Sequence, residues 1–181
     1  MATGYSAAKL AVEQWTGWFD APSGAAMIAL AADEQGITQL VLLPDDADAD
    51  AATPQRTDVP PPPRNPHLKA AVEQLRGYFA GRLSQFTVPI SARGTPFQKR
   101  VWDAATQIPA GQTRSYWWVA VRLGDPFAAR AVGGALGANP VPILVPCHRV
   151  LRKNNALGGF TVGLDWKRRL LDHEAALASP G

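Results

Sequence analysis

At 181 residues the chain can bury one large core or two small ones, and 46% hydrophobic residues is ordinary for a globular protein; no run approaches the roughly 20 apolar residues of a membrane span. One cysteine excludes an internal disulfide and a cysteine-rich zinc site, three scattered histidines (His67, His148, His173) show no ligand spacing, and no basic-then-apolar leader opens the chain. No metal or cofactor, no membrane and a cytoplasmic location are therefore expected.

The net charge of +3 is unevenly held: residues 1–90 carry 6 basic and 10 acidic side chains, residues 91–181 carry 12 and 5. That polarity suits a protein that sets one face on phosphates. In chain order, the first 14 residues show no clear period. Ala25 to Ala32 and Ile37 to Leu43, separated by Asp33-Glu34-Gln35-Gly36, read as an antiparallel hairpin, with a further strand around Trp15, Trp18 and Phe19. From 44 to 64 the chain is acidic and then proline-rich, the composition of a flexible loop. Asn65-Pro66 pairs a cap with a first-turn proline, and Leu68, Val72, Leu75 and Phe79 recur at helical spacing until Gly81. Phe86, Val88 and Ile90 alternate as one more strand would. Residues 1–90 thus form an expected α/β scaffold domain, a small sheet plus a helix, with nothing catalytic in it.

Residues 91–181 read as a second, mainly helical domain. Thr95-Pro96 opens a helix whose stripe Phe97, Val101, Ala105 and Ile108 ends at Pro109. Ser115 caps a short helix through Leu123, Gly124 breaks it, and Asp125-Pro126 opens another running to about Gly137, the outline of a helix-turn-helix. On the second of these, Ala128, Val132 and Ala135 share one side while Arg130 points the opposite way among Pro126, Gly133, Gly134 and Gly137. Three helical glycines cost about 1 kcal/mol each relative to alanine, which is explained if another backbone must come close. Tight internal packing would explain the glycines too, but not the outward arginine. Farther on, Leu151 to Asn155 form a basic loop, and Gly158-Gly159-Phe160-Thr161 suits a pocket wall. Asp165 caps a last helix in which Glu174 lies among Leu170, Leu171 and Leu177, and a buried glutamate there needs a partner, for which His148 is suited.

The stretch 139–150 carries the chemistry. Its prolines at 140, 142 and 146 argue against a helix interior or a central strand, and they lead to Cys147, with His148 and Arg149 directly after it. An isolated cysteine is most often a small buried hydrophobe, but a thiol beside a proton acceptor and cationic side chains is a candidate activated nucleophile. This run, Asn-Pro-x-x-x-x-x-Pro-Cys-His-Arg-Val, resembles the active-site signature of the O6-alkylguanine-DNA alkyltransferases. The resemblance continues through Gly94-Thr95-Pro96-Phe97-Gln98, Val101-Trp102, Ile108-Pro109, Gly111, Ser115-Tyr116, Arg130-Ala131-Val132-Gly133 and Leu157-Gly158-Gly159, covering roughly residues 94 to 174.

The resemblance implies a DNA-repair protein that takes the alkyl group of O6-alkylguanine, and could take that of O4-alkylthymine, onto Cys147 once and without turnover. It implies Cys147 as nucleophile, His148 as proton acceptor through a water, and Glu174 as the group that orients the imidazole. It places Arg130 in the base stack of minor-groove-bound, double-stranded DNA and Tyr116 beside the rotated phosphate and the flipped base. Lys153 of the basic loop is expected on the DNA as well, and Trp117, unusual next to Tyr116, is expected either on the DNA or packed inward. Asn139 joins that DNA-binding set as the hinge between the helix-turn-helix and the active-site loop, while Arg149 braces the loop through an ion pair. Carbonyls of Cys147 and Val150 would face the guanine amino group and the Thr161 amide would face O6. Phe160 stands where the family commonly has tyrosine, so a hydrogen bond worth ~1 kcal/mol to the leaving oxygen is missing. A monomer, nucleoid-associated in a bacterial cell, is expected. The rival readings are a non-reactive alkylated-DNA-binding protein, against which Cys147 argues; a helix-turn-helix regulator, which would need base-reading side chains where this helix has glycines; and a cysteine hydrolase, which would turn over an acyl substrate.

Overall fold

The computed structural model describes residues 13–21, 24–43 and 61–178. Strands β1 (Glu13–Ala21), β2 (Gly24–Ala32) and β3 (Ile37–Leu43) make an antiparallel meander in that order, so the expected hairpin is β2–β3 and the tryptophan-bearing segment is its third strand. Alternation drives the pairing: Trp15 and Phe19 on β1, and Ala26, Ile28, Leu30 and Ala32 on β2, are buried at every second or fourth position. On β3 the buried parity changes from Ile37 to Leu40 and Leu42. The pairing accommodates this by stepping from Ala32↔Ile37 to Ala31↔Gln39, which leaves Thr38 as the extra residue of a bulge. The first 12 residues, and 44–60 of the expected flexible loop, lie outside the described residues; Pro61, at the loop's end, accepts a hydrogen bond from Trp15 Nε1 at 3.1 Å.

Helix α1 (Pro66–Phe79) begins where expected, with Asn65 Oδ1 accepting from the amides of His67 and Leu68 and with Pro66 in its first turn. Its apolar stripe is wider than the sequence reading, since Ala71 and Tyr78 are buried with Leu68, Val72, Leu75 and Phe79. Phe79 meets Phe19 of β1 at a ring separation of 6.0 Å. The expected strand Phe86-Val88-Ile90 does not form. The amides of Thr87 and Val88 donate to the side chain of Gln74 on α1, residue 89 is a proline without a donor, and only an isolated bridge joins Ile90 to Ile37. That bridge is nonetheless made twice, Ile37 N to Pro89 O and Ser91 N to Ile37 O, both at 2.8 Å.

The remainder is mainly helical. Helix α2 (Pro96–Thr106) starts on a reciprocal capping box between Thr95 and Gln98. Helix α3 (Tyr116–Arg122) is capped by Ser115 Oγ on the Trp118 amide. Helix α4 (Ala129–Gly137) starts later than the Asp125-Pro126 pair suggested, because the Asp125 carboxylate accepts the Phe127 amide and the Asp125 carbonyl accepts the Ala128 amide, closing a turn first. Helix α5 (Leu164–Ala178) has Asp165 in its first turn, pairing with Arg168, rather than at the cap. A two-stranded parallel ladder, β4 (Arg114–Ser115) on β5 (Val150–Leu151), fastens the start of α3 beside the cysteine segment. Trp102 Nε1 donates to Ala135 O at 2.9 Å, tying α2 to α4. One apolar core runs from the sheet and α1 into this helical part, and Leu40 N of β3 donates to Pro140 O in the 139–150 loop.

Gly36 is a tight seam within the N-terminal part, where β3 begins against the segment before α2. Its φ is +155°, and a Cβ there would lie 2.4 Å from the Pro89 carbonyl oxygen. Gly36→Ala should therefore cost about 1–3 kcal/mol and lower the melting midpoint by several degrees; an unchanged midpoint in thermal unfolding would contradict this packing.

Candidate active site

The loop 139–150 is held under strain. Ile143, β-branched and fully buried, sits at φ +72°, a region costing of order 1–3 kcal/mol for such a residue. The neighbouring bonds keep it there: Val145 N donates to Val141 O at 2.9 Å, and the buried Asn139 side chain accepts from Val141 N and donates to Val145 O. Asn139 Nδ2 also lies 3.2 Å from Cys147 Sγ. Where a hinge is expected, Asn139 is buried and braces the loop internally, its amide reaching the sulfur. Cys147 opens a single 3-10 turn, Cys147–Arg149, at the end of this loop.

Behind the cysteine, the Glu174 carboxylate is 1% exposed and ringed by donors. Oε1 accepts from His148 Nε2 at 2.9 Å, Arg149 Nη2 at 2.8 Å and the Tyr78 hydroxyl at 2.9 Å; Oε2 accepts from Arg149 Nε at 2.9 Å and the Gly111 amide at 3.3 Å. Burial alone would push this carboxyl up, but the hydrogen bonds from His148 and Arg149 and their charges hold it well below the usual carboxylate range. The partner expected for Glu174 is therefore present, and the loop-bracing ion pair expected of Arg149 is made with the same carboxylate. Arg149 Nη1 donates in addition to Ile108 O, just past the end of α2.

An ionised carboxylate only accepts, so Nε2 of His148 must carry the proton in that bond and Nδ1 is left with the lone pair. Nδ1 is buried and has no hydrogen-bond partner among the described residues. Burial pulls the His148 pKa down and favours the neutral ring, against the pull of Glu174. Burial likewise pushes the Cys147 thiol up, opposed by the Asn139 contact and the Lys167 charge. The resting pair is accordingly a neutral thiol beside a neutral imidazole, with the means to stabilise each charge once a proton moves.

Cys147 is 8% exposed and reaches solvent through a cavity of about 980 Å³. Tyr116 and Trp117 of α3 form one wall, Arg130, Gly133 and Gly137 of α4 another, and Arg152, Lys153, Phe160 and Thr161 the third. The glycine face of α4 is open where it was expected to be: a Cβ at Gly134 or Gly137 would meet nothing within 4 Å, and at Gly133 only the Tyr116 ring at 3.7 Å. Internal packing therefore does not account for these glycines, and Arg130 stands exposed on the same helix. Gly158 has the opposite reason: its φ is +67°, and a Cβ would lie 2.8 Å from the Tyr116 hydroxyl. Trp117 is 59% exposed. Phe160 lies edge-on to His148 at 6.5 Å between ring centres, and Thr161 Oγ1 donates to Gly137 O at 2.8 Å, closing the glycine loop onto α4. Val150 is buried outside the cavity lining, and its carbonyl already accepts from Lys167 Nζ at 2.8 Å.

Two residues of this assembly escaped the sequence reading. Lys167 is fully buried, donates to the Val150 and Gly159 carbonyls, and is pushed down to about 8 by burial. Its signal was its position: Trp166, Lys167, Leu170, His173 and Glu174 form the buried stripe of α5, and a lysine inside such a stripe has a task. Tyr78 offered no comparable signal, since one aromatic on an amphipathic helix reads as core. Among the described residues no cluster of histidine, cysteine and carboxylates could hold a metal.

Comparison with known proteins matches residues 20–92 to the ribonuclease-like domain, and residues 96–176 to the DNA binding domain, of 6-O-methylguanine DNA methyltransferase. The chain is 49% identical over 125 residues to the methylated-DNA–protein-cysteine methyltransferase of Mycobacterium tuberculosis strain H37Rv, covering 69% of this chain and 74% of that protein. It is 44% identical over 133 residues to the constitutive methylated-DNA–protein-cysteine methyltransferase of Bacillus subtilis, covering 74% and 79%. Among solved structures it is similar to the M. tuberculosis O6-methylguanine methyltransferase (TM-score 0.72, 38% identity, 93% and 97% of the two chains) and to an M. tuberculosis relative in complex with DNA (TM-score 0.71, 40% identity, 90% and 94%).

The Glu174 environment has a consequence for stability. A carboxyl whose folded pKa is depressed adds stability that is present above its unfolded pKa, near 4.5, and is lost as pH falls below it. Glu174→Gln should destabilise the protein at neutral pH by about 3–5 kcal/mol, since it strands the buried Arg149 charge. The gap from wild type should then narrow as pH falls below 4.5, measured by denaturant unfolding across pH. A gap of constant size down to strongly acid pH would contradict the ionised, paired state of Glu174.

Proposed function

The chain belongs to the 6-O-methylguanine DNA methyltransferase family, and on that premise we propose that it repairs DNA by moving the alkyl group of O6-alkylguanine onto Cys147, once per molecule. The observation that carries the reading is a single nucleophilic sulfur at the floor of a cavity, backed by the buried His148–Glu174 pair and walled by a helix that shows an arginine and open glycines to solvent. In this reading His148 Nδ1 takes the Cys147 proton through a water, and Glu174 stabilises the imidazolium that results. The thiolate attacks the alkyl carbon; a sulfur–carbon bond forms, the carbon–O6 bond breaks, and its electron pair leaves with guanine, which is then protonated. A thioether has no easy route back to a thiol, so the protein is consumed.

The DNA side follows from the same surface. A target atom inside the stack requires that the nucleotide be turned out, at a cost of a few kcal/mol that protein contacts must offset. Arg130 fills the vacated place in the stack, and the open face at Gly134 and Gly137 lets α4 lie close in the minor groove. Tyr116 and Trp117 flank the turned-out base, and Lys153 meets phosphate. Within the pocket Phe160 packs without a hydroxyl to offer the leaving oxygen, the Thr161 amide faces O6, and the Cys147 and Val150 carbonyls face the guanine amino group. The Val150 carbonyl would do so with its second lone pair, the first being taken by Lys167. The protein acts as a monomer, with residues 91–181 carrying transfer and DNA binding and residues 1–90 holding them in place; O4-alkylthymine is a second candidate substrate.

Intact-mass analysis after incubation with methylated duplex DNA tests this directly: one methyl mass per protein, located on Cys147, is expected, with Cys147→Ala unreactive yet still bound to DNA. Several turnovers per molecule would overturn it. Arg130→Ala should lose far more of its rate on duplex DNA than on a free benzylated guanine, since the arginine serves extrusion and not bond breaking; equal losses in the two single-turnover assays would remove it from that role.

A further inference from the structure

Helix α1 belongs to the part of the chain assigned above to scaffolding, yet one of its side chains reaches the active-site carboxylate. The Tyr78 hydroxyl donates to Glu174 Oε1 at 2.9 Å, across 96 residues of sequence, and the tyrosine is fully buried. Oε1 is the oxygen that also accepts from His148 Nε2. The tyrosine is placed with care: its backbone carbonyl accepts from His173 Nε2 at 2.8 Å, so α5 grips it immediately beside Glu174. Its ring packs edge-on against Phe79 and His173, at 5.3 and 5.0 Å, and tilted against Phe86 at 5.3 Å. Packing alone would be served by phenylalanine; a buried hydroxyl aimed at a carboxylate needs a further reason.

We propose that Tyr78 is a positioning residue for the transfer reaction, its hydroxyl holding Glu174 Oε1 and thereby setting how tightly His148 keeps a proton. The proposal rests on the reading of His148 as the base. A donor on Oε1 disperses the negative charge that faces the imidazole, so the imidazolium is stabilised less than by a bare carboxylate. The other charges around the pair are Arg149 and Lys167, which disfavour the imidazolium, and Glu174, which favours it; Cys147 lies ahead of His148, and His173 is engaged with the Tyr78 carbonyl. Tyr78 is held in the protonated, donating form by burial and by Glu174 itself. Through this bond the N-terminal half tunes the chemistry of the C-terminal half instead of only supporting it.

The test is Tyr78→Phe in the full chain, which keeps the ring and its packing. Two readouts are followed: the pH titration of the His148 ring nitrogens by NMR, and the pH profile of the single-turnover rate with a benzylated guanine. Loss of one hydrogen bond should raise the His148 titration midpoint by roughly half to one pH unit, and should move the acid limb of the rate profile upward with it. Leu75→Ala, a cavity in the same helix at a side chain with no donor to offer Glu174, serves as the control and should lower the melting midpoint without moving either curve. A His148 titration that is unchanged in Tyr78→Phe, or that moves as far in Leu75→Ala, overturns the proposal. Absence of transfer by the wild-type protein would instead strike the proposed function, and the NMR titration would still decide the hydrogen bond.

Discussion

A buried carboxylate is the constraint on which the rest of the structure depends. Glu174 cannot lie in an apolar interior as an ion unless nearly all its lone pairs are taken, and five donor groups from three segments converge to take them: Tyr78 from α1, Gly111 from the α2–β4 connection, and His148 and, twice, Arg149 from the 3-10 turn. Meeting that demand fixes the relative positions of α1, α5 and the 139–150 loop. It also means that the ion's stabilisation and the placement of the reactive thiol are one problem, because His148 and Arg149 follow Cys147 directly.

The same economy is visible around the sulfur. Asn139 spends its amide on the loop backbone and on Sγ, and Lys167 spends its ammonium on the carbonyls of Val150 and Gly159 while lending its charge to the thiol. The strained φ at Ile143 is held by the Asn139 bonds and by the apolar packing around it, in the loop that leads to Cys147. A rigid, pre-strained loop suits a group that must meet an alkyl carbon in line, where small displacements are costly.

Much of this was legible in the sequence, for reasons that differ by residue. Caps such as Asn65 and Thr95 with prolines beside them are local chemistry, and α1 and α2 began where they indicated. The glycine face beside Arg130 was readable because helical periodicity places side chains by angle alone. Where tertiary context decides, local pattern misled: Phe86-Val88-Ile90 alternates like a strand, but Gln74 captures its amides and Pro89 offers none. Asp125-Pro126 resembled a helix start and closed a turn instead. The Glu174–His148 pairing could be inferred because a glutamate among leucines poses a question with few answers. Tyr78 could not, since nothing local separates a tyrosine that packs from one that donates across 96 residues.

The proposed chemistry depends on one microscopic assignment, that Glu174 fixes the proton of His148 on Nε2 and leaves Nδ1 free to accept. Long-range nitrogen–hydrogen correlation NMR on protein labelled with nitrogen-15 at histidine reports the tautomer of each ring at neutral pH. A neutral His148 protonated at Nε2, with Nδ1 bare, is the result predicted; a ring protonated at Nδ1, or one already doubly protonated at neutral pH, would contradict the account.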